Sequence, residues 1–359
     1  MVKNNIQFGY WSPTIARGLV ASGVDNSTGY DPDYVVSTAQ LAERHGFSHT
    51  LNAIRHQGDR SEPIVASQYI LGATTRLTSI AAVHPGLIHP GVLAELASSA
   101  SLFSSGRFGI NVVSGWHRDE FENLGEPWLD HEQRYARTGE FMEILHRLFA
   151  GGPVDFDGEY YTLHGASVTP TAPVAPALFQ GGSSEAAHRV AGQQADWYFT
   201  NGGTPEELSA RIAEVRAEAG KAGRPAPPVG VNSFVILRDT EEQAQSVLRE
   251  IIEKFDREQV EDFFARSREA GASSPEGRGM WANSSREDLI QFNEGFRTNL
   301  IGTAEQIAGR IVDLKNIGVD LILVGALNLR EELVEFGRKV IPLVREIEAR
   351  DTDSERALS

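Results

Sequence analysis

The chain has 359 residues, 41% hydrophobic and 23% charged, a balance typical of globular proteins and a length sufficient to bury a large core. Its 49 acidic against 33 basic residues give a net charge of −16, which argues against a general affinity for nucleic acid or anionic membranes and means that an anionic ligand needs a local exception. With no cysteine there can be no disulfide, thiolate nucleophile or zinc–thiolate site, and with no 18-residue apolar run and no apolar leader the expected location is cytoplasmic.

In chain order, the hydrophobic pattern predicts a strand at 6–11, a helix at 33–45, a strand at 47–54 and a helix at 63–73. A strand at 77–83, a helix at 90–103, a strand at 108–113 and a helix at 132–149 follow. Residues 153–169 then read as a small hairpin insertion turning at Asp157-Gly158. Beyond it come a strand at 177–181, a helix at 184–193, a strand at 196–200, a helix at 205–222, a strand at 229–237 and a long helix at 241–270. The Gly/Ser-rich stretch 271–300 exceeds an ordinary connection and is expected to be a lid-like insertion. A helix at 304–317, a strand at 319–324, a helix at 330–349 and a polar tail at 351–359 complete the chain. Eight strands alternating with helices, several apolar on both faces, predict an α/β fold: an eight-stranded parallel β/α (TIM) barrel with insertions, forming one domain over 1–350.

Barrel enzymes keep their chemistry at the C-terminal ends of the strands. Those ends offer Tyr10-Trp11, Ile54-Arg55-His56, His84-Pro85-Gly86, Asn111 to Trp116, Gln180, Thr200-Asn201-Gly202 and Asn232. Aromatics and amides dominate. No carboxylate pair, metal-ligand spacing, Gly-x-Ser-x-Gly elbow or Walker loop is present, so glycosidase, metal, acyl-transfer and nucleotide-hydrolysis chemistry find no support. The stretch Phe179-Gln180-Gly181-Gly182-Ser183-Ser184 delivers small residues to a helix N-terminus, the makings of an anion cradle. By itself it reads equally as a tight strand–helix turn capped by Ser183. A cradle alone would suit a sugar phosphate; a large, flat anionic cofactor lying across the mouth suits the whole rim better.

The joint pattern is more specific. Ser105-Gly106-Arg107, Asn111-Val112-Val113-Ser114-Gly115-Trp116, His131-x-x-x-Tyr135-x-x-x-x-Glu140-Phe141, Phe156-x-Gly158-x-Tyr160-Tyr161, the cradle, and Gly302-Thr303-x-Glu305-Gln306-Ile307-Ala308 occur in one order. Together they resemble the bacterial-luciferase-like flavin-dependent monooxygenases, over nearly the whole chain. Val113-Ser114-Gly115-Trp116, residues 196–202, residues 230–236, Ser274-Pro275-Glu276-Gly277, residues 296–303 and residues 336–346 look most like the dimethyl sulfone branch, near the alkanesulfonate monooxygenases.

This resemblance implies FMN as cofactor, supplied as FMNH2 by a separate NAD(P)H-dependent flavin reductase. It also implies O2 and a small organosulfur compound as substrates, dimethyl sulfone giving methanesulfinate and formaldehyde, and a homodimer or homotetramer. Position by position, it implies flavin contacts at His84, Asn111, His131, Tyr135, Gly182, Ser183 and Ser184, with Asn111 at the reactive edge. Trp11, Arg55 and Asn201 would join Asn111 around the substrate, no metal being involved. His131 and Tyr135, four apart, share one helix face.

Where the alkanesulfonate branch carries Arg and His on the seventh strand this chain has Asn232 and Phe234, and where that branch has a Tyr near the eighth strand it reads Gly325-Ala326-Leu327-Asn328. Losing those groups favours a neutral substrate over a sulfonate. The segments 52–62 and 84–89 depart from the sulfone branch. An alkanesulfonate or other small heteroatom compound as substrate, a deazaflavin-dependent oxidoreductase and a non-catalytic flavin-binding barrel are the competing readings.

Overall fold

The structure is a computed structural model that describes residues 5–15, 18–24, 29, 31–56, 58, 60–272 and 274–358, without the side chains of 270–272 and of residues beyond 350. The strands are β1 (Gln7–Trp11), β2 (His49–Asn52), β3 (Thr78–Val83), β4 (Phe108–Val112), β5 (Val154–Asp157), β6 (Thr162–Ala166), β7 (Ala177–Gly181), β8 (Trp197–Thr200), β9 (Val229–Phe234), β10 (Ile236–Leu237), β11 (Ile301–Gly302) and β12 (Leu321–Gly325). The helices are α1 (Pro32–Arg44), α2 (Pro63–Ala73), α3 (Pro90–Ser104), α4 (Arg118–Glu122), α5 (His131–Ala150), α6 (Glu185–Gln194), α7 (Pro205–Lys221), α8 (Glu241–Glu253), α9 (Arg257–Ala272), α10 (Ala304–Ile317), α11 (Leu329–Glu335) and α12 (Ile341–Leu358).

Eight strands close a parallel barrel in the order β1-β12-β9-β8-β7-β4-β3-β2, and the eight-stranded β/α barrel expected from the sequence is the fold observed. β9 and β12 are buried at every position, as strands wrapped by helices outside and filled by side chains inside must be. Reciprocal capping boxes start four helices, pairing Asp130 with Gln133, Thr204 with Glu207, Thr240 with Gln243 and Thr303 with Gln306. They fix where each loop at the rim ends. β5 and β6 form an antiparallel hairpin outside the barrel.

The expected strand 229–237 is broken. At Val235 the backbone turns out of the barrel, its N–H held by Gly325 O at 2.8 Å, and β10 pairs with β11 in a separate ribbon. The expected helix 241–270 breaks at 254–256, where Asp256 N–H donates to Ala21 O at 3.0 Å and Phe255 bridges Ser22. α12 continues through 351–358, where a polar tail was expected.

Inside the barrel, Leu51, Ile80, Phe179, Phe199, Leu321 and Leu323 form a buried plug. The Phe179 ring stacks on Trp197 and Phe199, with centroids 5.5 and 5.2 Å away. Each buried ring or branched chain contributes about 1.5–3 kcal/mol. The plug leaves room for a ligand above it, at the C-terminal ends of the strands.

Candidate active site

Above the plug lies a cavity of about 610 Å³, within the usual range for small-molecule sites. Trp11, Arg55, Asn111, Gly182, Ser183 and Asn201 all line it. His131, Tyr135 and Ser184 stand behind the Gly182-Ser183 wall. His84 belongs to a different part of the rim.

The cradle is built by a short backbone. Gly182 has φ +138°, and a Cβ there would come 2.6 Å from both the Tyr135 hydroxyl and Ala187 Cβ. Only glycine leaves this space open. Ser184, fully buried, is the N-cap of α6, its hydroxyl accepting from Ala187 N–H at 3.2 Å. The cap is therefore Ser184 and not Ser183, which faces the cavity. Burial raises the Tyr135 phenol above its ordinary range against the hydroxyls of Ser184 and Ser114, so it remains a neutral donor. Burial, then Arg134, pulls the His131 imidazole down, opposed by Glu132 and Glu276. His131 is 4% exposed and its Nδ1 has no hydrogen-bond partner among the described residues, Glu132 Oε1 standing 3.6 Å off. Two helices, α5 and α6, thus bring polar hydrogens and a buried imidazole to a glycine-floored gap.

Asn111 projects from β4. Its Oδ1 is buried without a hydrogen-bond partner among the described residues. A buried, unmatched amide oxygen costs about 1–3 kcal/mol, and at the wall of a cavity it points to a missing ligand. Of the other amides at the strand ends, Gln180 donates its Nε2 to Gly181 O at 2.6 Å and also keeps Oε1 without a partner among the described residues, but it does not line the cavity; the remaining two are engaged. Asn232 Oδ1 accepts from Trp11 Nε1 at 2.6 Å, and its Nδ2 donates to Gln291 and to Asn293 O. Asn201 Nδ2 donates to Glu294 Oε2 at 3.3 Å. Both therefore hold down the segment 274–300.

That segment, together with α9, roofs the cavity. The Trp116 ring lies 5.0 Å from Trp281 and 5.4 Å from Phe263, and Phe263 lies 5.1 Å from Phe292. Trp281 is 6% exposed. Such a roof keeps water from whatever lies beneath it.

A polar wall faces the cradle. Arg55 Nη2 donates to His117 Nε2 at 3.1 Å, and Arg266 Nη1 to the same nitrogen at 2.5 Å. Guanidinium cannot accept, so His117 carries its proton on Nδ1. Burial and then the two arginines lower its pKa. Glu120 sits 3.4 Å from Arg55 and 3.5 Å from His84, and accepts from His56 N–H at 3.1 Å. Burial raises its carboxyl, but hydrogen bonds and the neighbouring imidazoles outweigh that and hold it below the usual carboxylate range. His84, 2% exposed, is fixed by Val113 O at 2.8 Å. Arg266 is balanced by Asp262 and Asp119. The wall thus presents guanidinium donors whose charge is already neutralised.

Sequence reasoning missed Glu120, His117, Arg266 and Glu294. A signal existed only for the first two, in Trp116-His117-Arg118-Asp119-Glu120 directly after the strand-four motif.

A family model described as luciferase-like monooxygenase matches residues 6–321. The chain is 46% identical over 351 residues to the FMNH2-dependent dimethylsulfone monooxygenase of Pseudomonas putida, covering 96% of each chain. It is 43% identical over 355 residues to the FMNH2-dependent dimethylsulfone monooxygenase of Pseudomonas fluorescens (strain Pf0-1), covering 98% of this chain and 97% of that one. Among solved structures, riboflavin lyase with modified FMN and riboflavin shares the fold at TM-score 0.81 and 21% identity, over 96% of this chain and 92% of that chain.

Proposed function

The chain belongs to the luciferase-like monooxygenase family, and on that footing we propose that it oxidises dimethyl sulfone with FMNH2 and O2 to methanesulfinate and formaldehyde. One oxygen atom of O2 ends in formaldehyde and the other in water. The balance consumes two electrons and two protons, and one carbon–sulfur bond is broken. Bound FMNH2 supplies the reducing equivalents and the ring at which O2 is activated.

The residues present fit that group. Ser184, the α6 amides, Tyr135 and His131 offer the phosphate end neutral donors and a gap that a Cβ at position 182 would fill. Asn111 offers an unmatched amide oxygen to the ring's reactive edge. His84 orients Glu120 from behind the wall, and Trp11 and Asn201 steady the rim by their bonds to Asn232 and Glu294.

The observation that carries the choice of substrate is the neutralised wall. Arg55 presents a fork of donors suited to a sulfone oxygen, while Glu120 cancels its charge. A sulfonate would gain little there, whereas a neutral, strongly dipolar molecule loses nothing. The aromatic roof suits its methyl groups.

A separate NAD(P)H-dependent flavin reductase delivers FMNH2 in this reading, which places the work in the cytoplasm. Self-association as a dimer or tetramer belongs to it too. Val65 and Tyr69 of α2 and Val92, Leu96 and Phe103 of α3 are exposed large apolar residues on adjacent helices.

The test is aerobic turnover with FMN, NADH and a flavin reductase against dimethyl sulfone, a series of alkanesulfonates and other neutral heteroatom compounds, with reduced deazaflavin in a parallel arm. Methanesulfinate from dimethyl sulfone is expected. Turnover of a sulfonate alone moves the substrate, and activity with deazaflavin alone removes the oxygenase reading.

A further inference from the structure

The α6 N-terminus already holds an anion. Glu276, from the roof segment, accepts the backbone N–H of Glu185 at 2.8 Å, on the first residue of the helix. Ser184 serves Ala187 N–H two residues further in, so the side-chain cap and the roof carboxylate share out the free amides of one helix end. The carboxylate also acts on His131 and Tyr135, the two residues that flank the cradle from α5. His131 itself is more than nine-tenths buried, and its Nδ1 has no hydrogen-bond partner among the described residues, Glu132 Oε1 standing 3.6 Å away. The free amides at the helix end are thus arranged as for a negative ligand, with Glu276 in its place.

The same turn is anchored twice. Gly277 takes φ +63°, which lets the chain reverse between Glu276 and Arg278. Arg278 pairs with Glu214 of α7 at 2.8 Å. Glu214 accepts from His188 Nδ1 at 2.7 Å, His188 Nε2 lies 3.2 Å from the Tyr198 hydroxyl, and that hydroxyl donates to Gly182 O at 2.8 Å. The roof is therefore tied to the cradle by a charge in it and by a hydrogen-bonded chain beneath it.

We propose that Glu276 is the resident anion of the cofactor-phosphate cradle: it caps Glu185 N–H while the phosphate is absent and is displaced when the phosphate binds, so that the flavin phosphate, and not the flavin ring, repositions the roof. This deepens the flavin reading and rests on it. Two anions cannot share one amide, so each molecule of FMN must first displace a carboxylate whose place at a helix N-terminus is itself stabilising. Riboflavin, which lacks the phosphate, meets no such competition. Glu276 is thus a positioning residue that sets how strongly the site discriminates the phosphorylated flavin.

The experiment compares dissociation constants of FMN and riboflavin, both reduced under anaerobic conditions, for wild type and Glu276→Gln. Glutamine keeps an oxygen for Glu185 N–H and removes the charge. FMN is expected to bind the variant about tenfold more tightly, the scale of a unit charge at a helix N-terminus, with riboflavin unchanged within twofold. Hydrogen exchange on the wild type supplies the arm that needs no variant. Amides at 274–281 are expected to change protection on adding reduced FMN and not on adding riboflavin. An unchanged FMN-to-riboflavin ratio in the variant, weaker FMN binding there, or identical exchange with both flavins overturns the assignment of Glu276. Failure of wild type to bind either flavin overturns the flavin reading instead.

Discussion

Replacing Asn111 by leucine separates a catalytic amide from a structural one. Asn111 Oδ1 is buried at the cavity wall with no partner among the described residues. Leucine has nearly the same branched shape and no polar atom. If the amide waits for a ligand, the protein without flavin carries the desolvation cost of that oxygen, about 1–3 kcal/mol, and leucine removes it. For a chain of 359 residues the melting entropy makes 1 kcal/mol worth about 1.3 °C, so the flavin-free variant is expected to melt about 1–4 °C above wild type. The same change deletes the amide from the place where charge develops on reaction, which costs on the order of 10²-fold or more in turnover.

Two measurements check this: thermal and urea unfolding without flavin, and methanesulfinate formation with FMNH2 supplied. The expected variant is more stable and nearly inactive, a combination that damage to packing does not produce. Asn111→Ala is the control; it removes the same oxygen but leaves a void, so it loses activity without gaining stability. A leucine variant that is destabilised and turns over within threefold of wild type would refute the reasoning, because it would mean that Asn111 is an ordinary satisfied amide.

Three further outcomes are expected. Ser184→Ala loses the α6 cap, costing about 1 kcal/mol of stability; Ser184→Asp restores the cap but places a charge in the cradle, so FMNH2 affinity in a binding titration falls at least about tenfold below that of the alanine variant, and equal affinities would count against phosphate binding there. Arg55→Met is expected to raise KM for dimethyl sulfone about tenfold to hundredfold with FMNH2 affinity unchanged, and Arg55→Lys to restore little because a point charge lacks the fork; an unaltered KM removes Arg55 from the substrate site. Burial pushes the His49 imidazole down to about 4 from 6.5, so the folded state resists a proton that the unfolded chain takes up below 6.5; the stability is whole above that pH and falls as pH drops towards about 4, by about 3 kcal/mol in all. Denaturant midpoints measured from pH 7 to 4 should show this decline, and His49→Asn should flatten it; parallel pH curves for the two proteins would reject it.

The barrel was legible in the sequence because its strands are buried on both faces and its helices begin with side-chain caps, both of which are local signals. Strand 177–181 and helix 63–73 match the structure residue for residue. What failed were breaks made by distant partners. Residues 229–237 read as one strand, with the apolar run Phe234–Leu237 passing through Val235, and nothing local at Val235 reports that Gly325 O will pull its N–H aside. Helical periodicity runs through 254–256, and only the strand-like contact of Phe255 with Ser22 stops the helix there.

The same division runs through the site, and it has a physical cause. Residues that act from their own strand end, Trp11, Asn111 and Gly182, sit where strand periodicity and glycine chemistry place them. Ser184 was legible as part of the cradle, though the cap was assigned one residue too early. Glu120, Arg266, Glu276 and Glu294 reach the rim from α4, α9 and the roof, whose path over the barrel is set by tertiary contacts and not by strand ends. All of them are charged, and the three carboxylates each act on the legible set: Glu120 cancels Arg55, Glu294 ties down Asn201, and Glu276 stands where the phosphate belongs, while Arg266 is itself balanced by Asp262 and Asp119. In a chain of net charge −16, strand ends alone would describe a cationic, anion-seeking pocket. The carboxylates brought in by tertiary structure change that answer, leaving one protected place for an anion at the α6 N-terminus and a neutral, donor-lined space beside it. That split is what a reaction joining a phosphorylated cofactor to an uncharged sulfone requires.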